Sequence, residues 1–577
     1  MNFEEERPAA SLYEPGLVIV STGLLARKDR RTELKKARPF DIALVDEAHY
    51  ARRKNGTDGT RVEPRYGRLY QTLDDVLREQ TRCLMLATAT PMQLHPVEVS
   101  DLIRLTRRVG PFQYDPSLTQ RYYELLGKLV RDEPLQDAET ALLRRAVKDL
   151  EVRDPLLWQY LNDAVVDSFS RYDVNEWLQT GQLAMGSEEG VRRLVFAGSP
   201  LSRVMLRHTR PLLELYRERG KLDANLAKRT VLPLEPITFT AQEELAYNQL
   251  EDYCRGLAER MGQNEKTRRN TFALGMILSF LRLRFASSLF AIRESLRRRL
   301  EKVQATLAHV VREDEVELDE LAYADVIDEM EDDAAVVGQL LKDRTPEDLL
   351  WERDRLKEML QGLGDLSGTA SKMQRLLEYL NRRRLPGGRI QQTVVFTRFF
   401  DTLTDIVRRL RQADPQMLVA TYSGQGGSYY NPRSGKMTGV DRDDIKHRFL
   451  RGELDVLVCT DAAAEGLNLQ TADLLINFDL PWNPMKVEQR IGRIDRIGQR
   501  HERIYVSNLC YLNSAEEIVY GRLLARLSSA GDVVGTQQVS ILPVTQDEFR
   551  ELAEGSLSEA ELAQRAEERA ALARHRQ

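Results

Sequence analysis

"VLVCTDAAAEGLNLQTADLLINFDLPWNPMKVEQRIGRIDRIGQ", Val456 to Gln499, is the stretch that decides the fold. An apolar run, Val456 to Cys459, stops at Thr460 and Asp461; a second, Leu474 to Phe478, stops at Asp479 ahead of Pro481-Trp482-Asn483-Pro484. Short apolar runs bounded by polar and turn residues read as buried strands of a parallel sheet. The next stretch carries Gln489, Arg490, Arg493 and Arg496, and its spacing predicts a helix on which Arg493 and Arg496, three apart, share one face. Two guanidiniums on one face suit a terminal phosphate held elsewhere, the arginine-finger arrangement of phosphoryl transfer.

Working outward, the runs "TVVFTRF", "MLVATYSG" and "RIYVSNLC" extend this α/β texture over about 366–530. A Gly/Ser-containing stretch, "QGLGDLSGTA" (Gln361 to Ala370), has the composition of a hinge before it. The same texture occurs near the start, over 1–108, in "LVIVST", "DIALVDEAH" and "RCLMLATATPMQ". Between the two regions, 109–365 places Leu, Arg and Glu at helical spacing and predicts helices with one strand at "RTVLPLEPITFT". Within it, Glu313 to Asp333 is densely acidic yet keeps apolar residues, which fits an amphipathic helix or an acidic linker. The final 531–577 reads as an Ala/Glu/Arg-rich helical tail.

Composition bounds the class of protein. With 577 residues, 42% hydrophobic and 30% charged, the chain can bury several cores, so disorder throughout is excluded. Cys83, Cys254, Cys459 and Cys510 are far apart with no CxxC pair, which argues against a zinc site or a disulfide framework and for a reduced, cytoplasmic setting. The acidic start "MNFEEERPAA" does not look like a signal peptide, and no apolar run approaches the ~18 residues that span a bilayer. Since 84 Lys and Arg nearly balance 89 Asp and Glu, a basic face for nucleic acid has to be local.

The strand "DIALVDEAH" ends in Asp46-Glu47, two carboxylates at the carboxyl edge of a parallel sheet, where open α/β folds place ligands. Asp46 is the candidate magnesium ligand, and Glu47 the group that orients an attacking water. The run "LATATPMQ" ends in Thr88-Ala89-Thr90, hydroxyl residues able to bond both a carboxylate and an interdomain segment and so relay nucleotide state.

Together "DEAH", "TATPMQ", "VVFTRF", "CTDAAAEGLNLQ" and "QRIGRIDRIGQ" resemble motifs II to VI of superfamily-two helicase-like ATPases. The ending "RIDRIGQ" and the segment "VMLRHTRPLLE" (Val204 to Glu214) are similar to the Swi/Snf-type branch. "DLPWNPMKVEQRIGRIDRIGQ" resembles its bacterial members, which include the RNA-polymerase-associated ATPase and helicases of phage-defence operons. The resemblance implies two RecA-like lobes, the first incomplete, with a large helical insertion between them. It also implies ATP-driven tracking along double-stranded DNA, with ATP and magnesium as cofactors. Residue by residue it adds coupling roles for His49 and Gln489, and a nucleotide-binding role for Asp461, Glu465 and Gly466. Phosphate contacts to nucleic acid fall to Thr397, Arg398, Thr460 and Asn468.

The family grips phosphates with a Gly-rich loop ending in Gly-Lys-Thr/Ser. The Gly-Lys pairs here, at Gly127, Gly220 and Gly435, are followed by Leu129, Leu222 and Met437, so none fits. The expectation is an N-terminally truncated motor, inactive alone, whose Walker A segment was lost or sits on a separate chain. A non-hydrolysing nucleic-acid-binding relative is the alternative, and an RNA helicase a further one. A protein bound to DNA is a possible substrate; no membrane is expected. The loop "SGQGGSYYNPRSGKMTG" (Ser423 to Gly439) reads either as a flexible phosphate contact or as a disordered surface insertion.

Overall fold

The computed structural model describes residues 13, 16–53, 63–88, 97–106, 116–130, 133–153, 155–161, 171–182, 188–199, 210–232, 235–263, 271–310, 344–365, 370–461, 467–481 and 484–517. The acidic stretch 313–333, the tail 531–577, Thr90, Glu465 and Gly466 lie outside them. The chain divides into two compact units between Arg219 and Gly220.

In the first unit, strands β1 (Phe40–Val45) and β2 (Thr81–Leu86) pair in parallel, with Ile42 opposite Cys83 and Leu44 opposite Met85. Side chains alternate across a strand, so Val45 and its partly buried neighbours Ala43, Leu84 and Leu86 pack inward on Tyr70, Leu73 and Val76. The opposite face leaves Ile42 63%, Leu44 66% and Met85 51% exposed. Helices α1 (Val97–Thr106), α2 (Pro116–Val130) and α3 (Asp137–Arg153) follow. Buried Arg53 grips buried Asp101 with two hydrogen bonds, of 2.8 and 2.6 Å, tying the segment after β1 to α1. Such a pair holds position well because removing either partner strands a buried charge.

Among the described residues, the second unit is built on a nine-stranded sheet. Strands β3 (Lys228–Val231) and β4 (Glu235–Ile237) come first in the chain and both pair with the last strand, β11 (Arg503–Tyr511). Helices α4 (Ala241–Gln263), α5 (Thr271–Ser287), α6 (Leu289–Val310) and α7 (Pro346–Asp365) intervene, and α8 (Ser371–Arg382) leads back to the sheet. Then come β5 (Thr393–Thr397), α9 (Phe400–Ala413), β6 (Val419–Ser423), β7 (Gly426–Asn431), β8 (Lys436–Val440) and α10 (Arg442–Leu450). β9 (Val456–Thr460), β10 (Leu474–Asn477) and α11 (Pro484–Ile491) complete it. The order is β3-β11-β10-β5-β9-β6-β7-β8, parallel except where β7 pairs with β6 and β8.

Every residue of β5, β6, β9 and β10 is buried, as central parallel strands covered on both faces require. Val395, Val456, Val458 and Ile476 meet Leu376 and Leu380 of α8 and Leu403, Ile406 and Leu410 of α9. The helices α4 to α7 have their own core, including Leu250, Leu257, Leu281, Ile292 and Leu356. The stretch 423–439 is a correction: it is ordered as the antiparallel hairpin β7–β8, neither a flexible loop nor a disordered insertion. Tyr429 and Tyr430 face Arg448 and Arg411 at cation–π distance, which gives the hairpin packing partners its Gly/Ser content concealed. No helix among the described residues is long and apolar enough to cross a membrane.

Candidate functional site

Each unit presents candidate residues at the carboxyl ends of its parallel strands, where peptide groups run out of strand partners and the chain must turn. In the first unit, Glu47 takes a left-handed backbone (φ 47°) right after β1, and its amide donates to Asp46 Oδ1 at 2.9 Å. That turn reverses the chain so that buried His49 comes back beneath the end of β2. There His49 Nδ1 lies 2.9 Å from Thr88 Oγ1 and 3.1 Å from Glu47 Oε2. The predicted coupling residues His49 and Thr88 are therefore in direct contact, and His49 also meets the Glu47 carboxylate. Asp46 itself is exposed. Among the described residues no three His, Cys, Asp or Glu side chains converge on a metal position. A lone accessible carboxylate fits magnesium held mostly by water and nucleotide phosphates, the usual manner for that ion, and does not fit an all-protein cage.

In the second unit the site gathers around two buried polar side chains, Arg490 and Asp479. Arg490 lies on the apolar stripe of α11 with Val487 and Ile491, all three at 0% exposure. Its guanidinium takes Asp461 in a fork, Nε to Oδ1 at 2.5 Å and Nη2 to Oδ2 at 2.8 Å. Nη1 donates to Asn477 Oδ1 at 3.0 Å and to the Asp479 carbonyl at 2.7 Å. Burial pushes the Asp461 carboxyl up, but the charge and hydrogen bonds of Arg490, with Lys486 and Arg398 further off, outweigh it and hold the group below its ordinary value.

The Asp479 carboxylate accepts three hydrogen bonds: from Ser287 Oγ at 2.6 Å, Thr397 Oγ1 at 2.6 Å and the Arg398 amide at 2.7 Å. Thr397 and Thr460 are opposite one another at the ends of β5 and β9. Both are buried, and the Thr397 hydroxyl points inward to Asp479, while Arg398 and Asn468 are half-buried and reach the surface.

The arginine pair differs from expectation. α11 ends at Ile491, so Arg493 and Arg496 do not share a helix face. Tight turns close the helix instead: the Arg493 amide donates to Arg490 O at 3.0 Å, Ile494 to Ile491 O at 3.0 Å and Arg496 to Ile494 O at 3.2 Å. Gly492 opens this turn, and its low helix propensity is the local reason for the stop. Arg493 is buried, with its carbonyl accepting from Leu469 N at 2.9 Å. Arg496 is half-buried with Nε on Gly492 O at 2.9 Å, and burial lowers its guanidinium from the ordinary value. The turn is braced from β3, where Arg229 forks onto Glu488 (2.9 and 2.9 Å) and reaches Asp495 at 2.9 Å. Gln489, half-buried on α11, completes the set.

Sequence reasoning passed over Arg490, Asp479, Ser287 and Arg229 as site residues. For Arg490 a signal existed, since a charged residue in the stripe Val487, Ile491, Ile494 must be buried with acidic partners. Ser287 and Arg229 reach the site from helical and strand segments more than a hundred residues away in sequence, and no local pattern marks them.

Strands β5 to β10 of the α/β sheet and the arginine-bearing turn after β10 fall within residues 371–498, which match the helicase conserved C-terminal domain family. The chain is similar to the uncharacterized ATP-dependent helicase YqhH of Bacillus subtilis (strain 168), at 35% identity over 136 residues, 24% of each chain. It is similar to the RNA polymerase-associated protein RapA of Vibrio cholerae serotype O1 (strain M66-2), at 40% over 89 residues, 15% of this chain and 9% of that one. RapA of Serratia proteamaculans (strain 568) is 44% identical over 86 residues, 14% and 9%. The matched regions span about a quarter of YqhH and about a tenth of the RapA proteins. The C-terminal part of the Fun30 ATPase domain is 18% identical, covers 57% of this chain and 100% of that chain, and scores a TM of 0.30, too low to bear on the fold. The similarity to these helicase-family relatives is confined to a minor part of each chain.

Proposed function

We propose that these 577 residues work as part of an ATP-dependent double-stranded DNA translocase or remodeller of the Swi/Snf type, in the cytoplasm. The observation that carries this is the side-by-side placement of Thr397-Arg398 and Thr460-Asp461 at the ends of adjacent parallel strands, with Arg490 clamped on Asp461. At these strand ends the half-buried Arg398 and Asn468 are the side chains available to a phosphate backbone. In this reading Arg398 and Asn468 touch phosphates, whereas Thr397 supports them from inside. Asp461, Glu465 and Gly466 border the nucleotide.

ATP with magnesium is the proposed cofactor pair. Asp46 holds the ion, Glu47 orients water, and Arg493 and Arg496 stabilise charge on the transferring phosphoryl. His49, Thr88, Thr90 and Gln489 relay nucleotide state between the lobes. The Gly-Lys pairs in the chain lack the following Thr or Ser, so a separate polypeptide carrying a phosphate-binding loop is a proposed partner, and a protein bound to DNA a proposed cargo.

Fluorescence anisotropy of labelled duplex DNA at several salt concentrations tests the reading. Weak binding, indifferent to sequence and falling steeply with salt, is expected, because neutralised phosphates release counterions. Salt-independent or sequence-selective binding overturns it, and a clear preference for RNA moves the function to an RNA helicase.

A further inference from the structure

The joint between α5 and α6 is two serines, and each hydroxyl is donated to a carboxylate of the sheet domain. Ser287 Oγ meets Asp479 Oδ2 at 2.6 Å and Thr402 Oγ1 at 2.8 Å; Ser288 Oγ meets Asp405 Oδ2 at 2.7 Å. All five residues are buried. Buried hydroxyl–carboxylate bonds this short resist sliding, since breaking one leaves a desolvated acceptor without its donor.

Asp479 is the point where three parts of the unit meet. One carboxylate oxygen takes Ser287 and Thr397, the other takes the Arg398 amide, and the Asp479 carbonyl takes Arg490. The amide bond fixes where the Arg398 backbone leaves β5, and hence where its side chain emerges. We propose that Asp479 is a positioning residue for the Arg398 phosphate contact, and that Ser287 lets the α5–α6 helix pair set that position. The inference rests on the proposed function in one respect, that Arg398 meets nucleic-acid phosphate. It adds that the helical segment acts on the grip through one buried carboxylate.

The test is duplex-DNA titration of the full 577-residue chain over a salt series, with Asp479→Asn, Ser287→Ala, Ser287→Thr, Arg398→Ala and the Asp479→Asn/Arg398→Ala double variant. Asparagine keeps the volume of aspartate but turns one acceptor into a donor facing donors. Asp479→Asn is expected to flatten the slope of log K against log salt by about 1, the signature of one lost phosphate contact, as Arg398→Ala does. The double variant is expected to lose no more than Arg398→Ala alone, because residues acting through one another are not additive. Ser287→Ala shifts the slope in the same direction and Ser287→Thr, which keeps the hydroxyl, restores it. A merely structural role would lower the fraction of competent protein and leave the slope unchanged, so an unchanged slope with additive losses overturns the inference. If Asp479→Asn does not fold, the serine pair decides by the same criterion. Absence of salt-dependent binding in the unaltered chain overturns the proposed function and this inference together, whereas steep wild-type binding with no response to Asp479 or Ser287 overturns this inference alone.

Discussion

Arg490 grips Asp461 with two parallel hydrogen bonds, of 2.5 and 2.8 Å, and does so from a position with no exposure at all. The fork joins the end of β9 to the last turn of α11. Asp461, itself only partly exposed, depends on that guanidinium for its pairing. Arg490→Ala should therefore cost about 3 kcal/mol, because it leaves the Asp461 carboxylate unpaired and the buried Asn477 and Asp479 acceptors without a donor. Asp461→Asn in the Arg490→Ala background should recover part of that loss. Urea unfolding midpoints check it, and equal stabilities for wild type and Arg490→Ala would remove the fork from the account.

A second buried node predicts a pH response. Glu352 is fully buried, bonded by Tyr253 Oη at 2.6 Å and Arg299 Nε at 2.5 Å and paired with Arg344. Burial pushes its carboxyl up, but Arg299 and Arg344 outweigh this and bring it down to about 2. The folded value lies below the unfolded one, so the stabilisation is complete above about pH 4.5 and is lost as pH falls toward 2. The loss amounts to roughly 3 kcal/mol at most from this group. Thermal scans between pH 7 and 3 should show the second unit weakening below about pH 4.5. In Glu352→Gln the dependence over that range should be shallower, even though the variant is less stable at neutral pH.

The β7–β8 hairpin depends on one glycine. A Cβ at Gly427 would stand 2.5 Å from Ile445 Cγ1, and Ile445 is fully buried on α10 and cannot retreat. Gly427→Ala should cost about 1–3 kcal/mol by overpacking. Combining it with Ile445→Ala should be milder than the sum of the two single changes, since the second removes the atom that the first collides with. Additive losses in denaturant titrations would contradict the contact.

That glycine also marks the limit of sequence reading. The strands of the second unit were legible because their apolar runs are continuous and end in Asp, Asn or Pro, as in Val456–Thr460 and Leu474–Asn477. The hairpin was not, because the Gly, Ser and Tyr of β7, next to the edge strand β8, carry no apolar alternation and gain their order from Arg411, Arg448 and Ile445. The helix through Arg493 and Arg496 was extrapolated from spacing, and tight turns at Gly492 overrode it. The contact of His49 with Thr88 follows from residues the motifs had already singled out, but the bracing of the arginine turn by Arg229 depends on β3 lying beside β11, a long-range pairing that spacing does not encode.

The last prediction concerns turnover. Glu47 is linked to His49, and Asp46 is open to water, and these are the carboxylates of the proposed phosphoryl-transfer site. Arg493 and Arg496 supply cationic groups in the second unit. Catalysis of this reaction is mostly positioning and electrostatic stabilisation, and the largest share of positioning falls to loop amides and a lysine wrapped around the β- and γ-phosphates. In these 577 residues the Gly-Lys pairs continue with Leu129, Leu222 and Met437, and Gly127 and Lys128 belong to α2, whose amides are committed to the helix. The chain assayed by itself should therefore hydrolyse ATP at least about 10³-fold more slowly than a complete motor, with or without duplex DNA. Glu47→Gln controls for contaminating enzyme: a residual rate equal in both proteins does not come from this site. DNA-stimulated turnover at a motor's rate that Glu47→Gln abolishes would mean that other residues of this chain grip the phosphates. Addition of a polypeptide carrying a Gly-x-Gly-Lys-Thr loop should raise the rate only while Arg493 and Arg496 are both present.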